Sequence, residues 1–584
     1  MDGRVTSAGE ELVEGEITHL CRTGEGTRPD SSRKHYRIHE NGDALAHKAG
    51  LQSAQGAVDG DRKEERMRGS AIQLTRREIL ATAALGALAG PLGLARAAAP
   101  EGQLTWGVHI SLAPIWFDPA DISGIITPFM VLYALHDALV KPMPGQALAP
   151  SLAESWSAAE DGLSYEFVLR QGAKFHNGDP VTAEDVKYSF ERYRGTARDL
   201  MKDRVAAIET SDPSHVRFKL KQPWPDFLTF YGSASGAGWI VPKAYVEKVG
   251  DEGFKKAPVG AGPYKFVSFN PGIELVLEAF DQYWRKPPSV KRLVFKVIPD
   301  ETTRLAALKR GEVDIAYSIR GELAEDLQHT PGLTLEPAVV QGVFNIYFPD
   351  QWDEKSPWHD ERVRRAASLA IDRDGLNQAL TLGYSLVTGN PVVADNYEFF
   401  WQPPAPVYDP EKAKQFLAEA GFPKGFDGGD YYCDSSYSNI GEAVLDNLQA
   451  IGIRMKLRPI ERAAFIKGAA EKTFKNVIQT GPGAFGNAAT RYEAYVIKGG
   501  PFVYGSYPDI DALYQQQTVE LDHKKREAIL HQMQQLVYER TVFAPIWQLA
   551  FLNGVGPRVG ESGFGRIARF PYTAPYEDIT LKGA

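Results

Sequence analysis

Cysteine is almost missing from this chain of 584 residues, which holds only Cys21 and Cys433. Two are too few for a disulfide framework or a tetrahedral thiolate zinc site. Long apolar runs are missing too: no stretch of ~20 strongly apolar residues occurs, so the sequence offers no conventional membrane-spanning helix. An excess of basic residues is also lacking. Lys plus Arg is 65 against 74 Asp plus Glu, a net charge of −9, which argues against a dedicated nucleic-acid binder with its usual basic face. No GxSxG, P-loop or HExxH pattern is found.

Aromatic residues are absent where a folded domain would need them. Only Tyr36 lies in the first 100 residues, although the whole chain holds 28 Phe, 10 Trp and 25 Tyr. Residues 1–66 are therefore expected to be a disordered extension. Next come Arg76 and Arg77, an uncharged and mildly apolar run over 79–95, and the small-x-small sequence Ala95-Arg96-Ala97. This pattern resembles a twin-arginine export signal over 67–97, cleaved after Ala97, with an Ala/Leu-rich surface helix as the alternative. Such signals sit at an N-terminus, so translation is expected to start at Met67. Only Cys433 remains after cleavage, no lipidation cysteine follows, and the product is expected in the periplasm as a soluble protein.

Apolar residues at 43% and charged residues at 24% are ordinary globular values, and the length allows two to four domains. From residue 98 onward, helix and strand signals interchange. The stretches 165–169 and 216–220 read as strands, the second with strict alternation. Thr182 and Asp185 form a capping-box pattern for a helix whose Val186, Phe190 and Tyr193 share one face. A helix over 301–310 stops at Gly311 and leads to a strand at 313–316. Asp409 and Pro410 take N-cap and first-turn positions of a helix that ends at Gly421. A helix over 445–451 stops at Gly452, before a strand at 453–457. The fold class is α/β, best arranged as two lobes with crossover strands.

Several stretches together resemble the extracellular solute-binding proteins of family 5, the peptide/nickel class that serves ABC importers. The resemblance rests on Phe117-Asp118-Pro119, the block 162–178 ending in Phe175-His176-Asn177-Gly178, and Thr182-Ala183-Glu184-Asp185. It continues through Gly260-Ala261-Gly262-Pro263-Tyr264, Tyr283-Trp284, Gly311-Glu312-Val313-Asp314-Ile315, Ala370-Ile371-Asp372-Arg373 and Tyr408-Asp409-Pro410. It closes with Lys525-Arg526 at the start of a long helix. These blocks run in the family's order over roughly 104–550. The resemblance implies a two-lobed, periplasmic binding protein-like fold of the large, peptide-binding type, with a hinge and an interlobe ligand cleft. Lobe I is expected over 98–343 plus 546–584 and lobe II over 344–545. The implied partners are a small-molecule or peptide ligand and the membrane permease subunits of an importer; the protein is expected to be a monomer that needs no cofactor.

Most of the matching residues read as scaffold. Gly172, Gly178, Gly262 and Pro263 suit turns, and Trp156 and Trp284 suit packing. The family's pocket is built mainly where its sequences differ, which points here to Trp116, to Tyr397, Phe400 and Trp401, and to Phe485, Arg491 and Tyr492. Peptide-binding members carry a tryptophan and, three residues on, an aspartate for the peptide's ammonium. Residues 481–490 contain no acid, so a free peptide N-terminus lacks its usual anchor. Arg491 follows at once and is read as an anchor for a carboxylate; the alternative is a solvated or ion-paired surface arginine.

Competing classes are a secreted α/β enzyme, hydrolase or oxidoreductase, and a metal-chelate binder of the same family. Gly481 to Gly486 is a formal GxGxxG, but it comes late and lacks the acid of a dinucleotide site. His35 and His39 lie in the extension, and the remaining histidines, His109 and His176 among them, show no metal-ligand spacing.

Overall fold

The computed structural model describes residues 101–584, apart from 111, 123–127, 196, 235, 482–485, 568–569, 571–572 and 584, and the side chains of 233 and 234. The expected extension and export signal, with Arg76, Arg77 and Ala97, and the pocket candidate Phe485 lie outside the described residues.

Two sheets organise the chain. The first has seven strands, in the order 264–270, 274–279, 290–297, 101–108, 315–316, 550–555 and 334–339. Its centre is parallel, Glu101–Val108 pairing with both Val290–Val297 and Ile315–Ala316, and its flanks are antiparallel. The second has five strands, in the order 453–460, 426–434, 477–480, 344–347 and 543–547. Phe426–Asp434 runs parallel to both of its neighbours there. A separate antiparallel four-stranded sheet, from Ala153–Ala158 to His215–Leu220, adds a layer to the first lobe.

Among the described residues the chain passes between these two large sheets twice. Thr334–Val339 belongs to the first sheet and Phe344–Tyr347 to the second; Phe543–Trp547 belongs to the second and Ala550–Val555 to the first. The return crossing therefore falls at 548–549, later than the expected 545, because the strand pairing of the second sheet continues through Trp547. The two crossings run side by side, Val340 N donating to Leu549 O at 2.9 Å.

Local chemistry accounts for the element boundaries. Ser164–Leu169 and His215–Leu220 alternate between buried and more exposed positions, as half-buried strands require. The Asp185 carboxylate accepts from Thr182 N at 2.9 Å, and its second oxygen accepts from Lys243 N at 2.8 Å. The helix Glu301–Lys309 begins at Asp300, which caps Thr303 N, and Gly311 turns out of it with φ +71. Asp409 caps the helix Pro410–Glu419. Three expectations need correction. The helix expected at 445–451 starts at Ser438, the Tyr437 turn leading straight into it. The strand expected at 313–316 is regular only over Ile315–Ala316; just before it, Asp314 N donates to Thr105 O and the Asp314 carboxylate accepts from Thr105 N, both at 2.8 Å. Gly262 is not needed for its φ: a Cβ there would sit 2.6 Å from Ala134 O, so close backbone approach demands glycine. Trp284 donates to Asp137 Oδ2 at 2.6 Å and lies under Arg170, as a packed aromatic. His176 bonds the backbone of Gly260 and Gly262, a structural role.

Candidate functional site

The helix Ala488–Tyr495 carries Arg491 and Tyr492. Its N-cap, Asn487, accepts from Thr490 N at 3.1 Å, while Thr490 Oγ1 accepts from Asn487 N at 3.1 Å. This reciprocal cap satisfies donors at a helix start that is entirely buried, from Ala488 through Tyr492. Asn487 Nδ2 then reaches out of lobe II to Asp226 Oδ1 of lobe I, at 2.7 Å.

Asp226 is the centre of an interlobe junction. It is 2% exposed, and its other oxygen pairs with Arg526 Nη2 at the start of the long helix His523–Glu539. Arg526 also donates from Nε to Gln517 Oε1 at 3.0 Å, and its guanidinium lies over the Phe399 ring. Three side chains from positions 226, 487 and 526 thus close one polar contact between the lobes.

The segment 397–401 is held against the same helices. Glu398 O accepts from Ala488 N at 3.1 Å. Gln534 donates to Phe399 O at 2.7 Å and accepts from Trp401 N at 3.0 Å. Phe399 adopts φ +64, which non-glycine residues rarely take, at the bend of this segment. Tyr397 Oη donates to Gln341 O at 3.0 Å, tying the segment to the first crossing between sheets. Tyr397 and Tyr492 are buried in the hydrophobic cluster of lobe II, with Phe400 packed on it, and Trp401 meets Tyr538 edge-on. Trp116 stands apart, in the turn Pro114–Phe117 of lobe I, half-buried against the largest cluster.

Arg491 differs from every other buried arginine. It is 2% exposed, so the solvated alternative is excluded. Among the described residues it makes no ion pair, and its buried Nε has no hydrogen-bond partner; the nearest aromatic is Tyr495, 6.0 Å from the guanidinium carbon. Arg304, Arg364 and Arg373 are as deeply buried, but each donates to several carbonyl oxygens. Burial raises the Glu493 carboxyl, with Arg204 and Arg491 opposing it. The Tyr492 hydroxyl is likewise buried without a partner. A buried guanidinium and a phenol with free donors can accept an acidic group.

The formal GxGxxG has a packing explanation at its first glycine: a Cβ on Gly481 would meet the Phe344 ring at 2.5 Å. The N-cap that follows already faces the Asp226 carboxylate.

Two lobes joined by paired crossings and meeting in a buried polar junction have the architecture of a hinged binding protein. The chain matches the family described as bacterial extracellular solute-binding proteins, family 5, over residues 147–501, and it belongs to that family. It is a substrate-binding protein of the peptide/nickel-type ABC importer class, whose role is to capture a ligand and deliver it. It is 30% identical over 428 residues to di/tripeptide-binding protein 2 of Pseudomonas aeruginosa, covering 64% of this chain and 76% of that relative. It is 31% identical to the glutathione-binding protein GsiB of Salmonella typhi, covering 55% of this chain and 63% of that one. Among solved structures, the binding protein AgaA from A.tumefacien R10, in complex with agropinic acid, superposes with a TM-score of 0.70 at 25% identity. That match covers 83% of this chain and 99% of AgaA.

Proposed function

We propose that this protein captures a small organic ligand bearing a carboxylate, with Arg491 as one of its anchors, and passes it unchanged to an importer. The observation that carries this reading is the Arg491 guanidinium, buried and without an ion pair among the described residues. Burying a cation without an ion pair is costly, and a ligand acid group would reduce that cost only when bound. Residues 481–490 supply no carboxylate for an ammonium, so acidic rather than amino-terminal recognition fits the sequence. AgaA holds an acid, agropinic acid, in its complex. Tyr492 is the second donor; Tyr397, Phe400 and Trp401 shape the wall on lobe II and Trp116 that on lobe I.

The moving bodies are 98–339 plus 550–584 and 344–547, flexing at 340–343 and 548–549. The working form is a monomer in the periplasm, exported through Arg76 and Arg77 and cleaved after Ala97. Among the described residues no helix is long and apolar enough to cross a membrane. Replacing both arginines with Lys should retain precursor in the cytoplasm; normal processing near Ala97 in that variant would defeat the export assignment.

Mass spectrometry of protein purified without added ligand tests the ligand class. Release of an intact carboxylic acid supports it. Release of a ligand without any acid group, or turnover of the released compound by the protein, contradicts it.

A further inference from the structure

A second cation with a free donor lies away from Arg491. Between the lobes is a cavity of about 210 Å³ lined by His109, Glu301, Arg304, Arg320, Ser435 and Ser436. The first four follow the carboxyl ends of the parallel strands Glu101–Val108, Val290–Val297 and Ile315–Ala316 of lobe I. The two serines follow the carboxyl end of Phe426–Asp434 in lobe II. Open α/β sheets place ligands outside the carboxyl ends of their parallel strands, and here two such edges face one cavity.

The donors divide clearly. Arg304 is fully engaged, giving hydrogen bonds to the carbonyls of Ile298, Pro299, Tyr317 and Ser318. Arg320 is not. Its Nε pairs with Glu301 Oε1 at 2.9 Å and its Nη2 crosses to Ser436 O of lobe II at 2.9 Å. Its Nη1 is buried with no partner, and the side chain is only 9% exposed. Arg462, nearby, is paired with Asp434 at 2.9 Å. Arg304, Arg320 and Arg462 are set against Glu301, Asp434 and Asp300, so what marks the cavity is the unpartnered Arg320 Nη1 and not a surplus of charge. His109 adds none, since burial and these three arginines hold it well below its ordinary titration range.

We infer that this cavity is an oxyanion subsite, in which one carboxylate or phosphate group accepts from Arg320 Nη1 against Ser435 and Ser436. Arg320 already spans the lobes through Ser436 O, so an anion held here touches both and is bound only when they are closed. The inference does not depend on Arg491.

Calorimetry on the full-length protein at low ionic strength tests it with two probes. Inorganic phosphate represents a free anion, and glutathione a larger ligand that brings its own acid groups. At least one probe should give a saturable isotherm that Arg320→Gln weakens tenfold or more. Ser435→Asp, which supplies a carboxylate to the cavity while leaving every Arg320 contact in place, should weaken it equally. The exposed control Arg454→Gln should leave it unchanged. An Arg320-dependent phosphate isotherm identifies a free-anion site, and one for glutathione alone identifies the acid group of a cleft ligand. If neither isotherm depends on Arg320, or if Ser435→Asp binds like the parent while its melting temperature matches, the subsite is overturned.

Discussion

Arg304 of lobe I and Arg491 of lobe II are buried alike, at 0% and 2% exposure, yet their surroundings differ completely. Around Arg304 the chain offers four carbonyl oxygens from the strand ends and turns it braces, and burial holds the guanidinium down to about 10 without depriving it of partners. Around Arg491 the chain offers the Tyr495 ring, its centre 6.0 Å away, and no acceptor to Nε. A protein that needed Arg491 only for its fold would satisfy it as it satisfies Arg304, Arg364 and Arg373. The contrast separates arginines that hold the scaffold from one that the proposed function assigns to the ligand.

The largest effect should come from the scaffold side. Arg304→Leu strands four acceptors, and a buried unmatched acceptor costs about 1–3 kcal/mol, so a loss of ~4 kcal/mol or more is expected in denaturant unfolding. A fall under ~1 kcal/mol would erase the distinction between the two arginines.

Next is the junction that joins the lobes. Asp226→Ala leaves Arg526 buried without its counter-charge, which typically costs about 3–5 kcal/mol. Asp226 and Arg526 belong to different lobes, so the penalty falls on the closed state. Small-angle scattering with bound ligand should show a more expanded particle than the parent, and an unchanged profile would show that Asp226 does not hold the lobes together.

Acid should weaken the first lobe in a calculable direction. Burial lowers His136 to about 4 and His176 to about 3, from an ordinary 6.5, and also lowers His109. The unfolded chain binds these protons at a higher pH than the folded one. Their stabilisation is therefore complete above pH 6.5 and is lost as pH falls toward 4, by up to about 1.4 kcal/mol per pH unit for each histidine. Melting temperature should drop steadily from pH 7 to 5; a flat profile would mean that these rings titrate in the folded protein.

The smallest effect is expected where the scaffold arginines show the largest. Arg491→Met should change the stability of the ligand-free protein by less than about 1 kcal/mol, in the stabilising direction, because it removes a buried charge without a partner. Marked destabilisation would place Arg491 with Arg304.

Much of the fold was legible because local chemistry announces it. Thr182 with Asp185, Asp409 with Pro410, and Gly311 mark helix ends by side chains that act within a few residues of themselves. Alternation in 215–220 states which face is buried. Tyr397 and Trp401 stand out in the sequence because their segment is one where the family's members differ, and Trp401 also because its loop is rich in proline. The structure shows what holds them, a Gln341 carbonyl and Gln534 on a distant helix, which no local pattern carries. Asp226, Asn487 and Arg526 meet across separations of 261 and 300 residues, so nothing in their neighbours along the chain predicts the junction. Arg320 and His109 come together only because two sheets present their strand ends to one cavity. The absence of acid over 481–490 was readable, and it pointed to Arg491; its burial and its missing partner were not.

Binding calorimetry with the acid released from the purified protein, on the parent, Arg491→Ala and Arg491→Lys, tests the central claim most directly. Loss of one partner of a buried charge pair is worth about 3–5 kcal/mol, which is two to four decades in Kd. The account predicts at least a hundredfold weaker binding for Arg491→Ala, only partial recovery for Arg491→Lys, whose ammonium lacks the planar fork, and ligand-free melting temperatures no lower than the parent's. An Arg491→Ala protein that binds within threefold of the parent would contradict it.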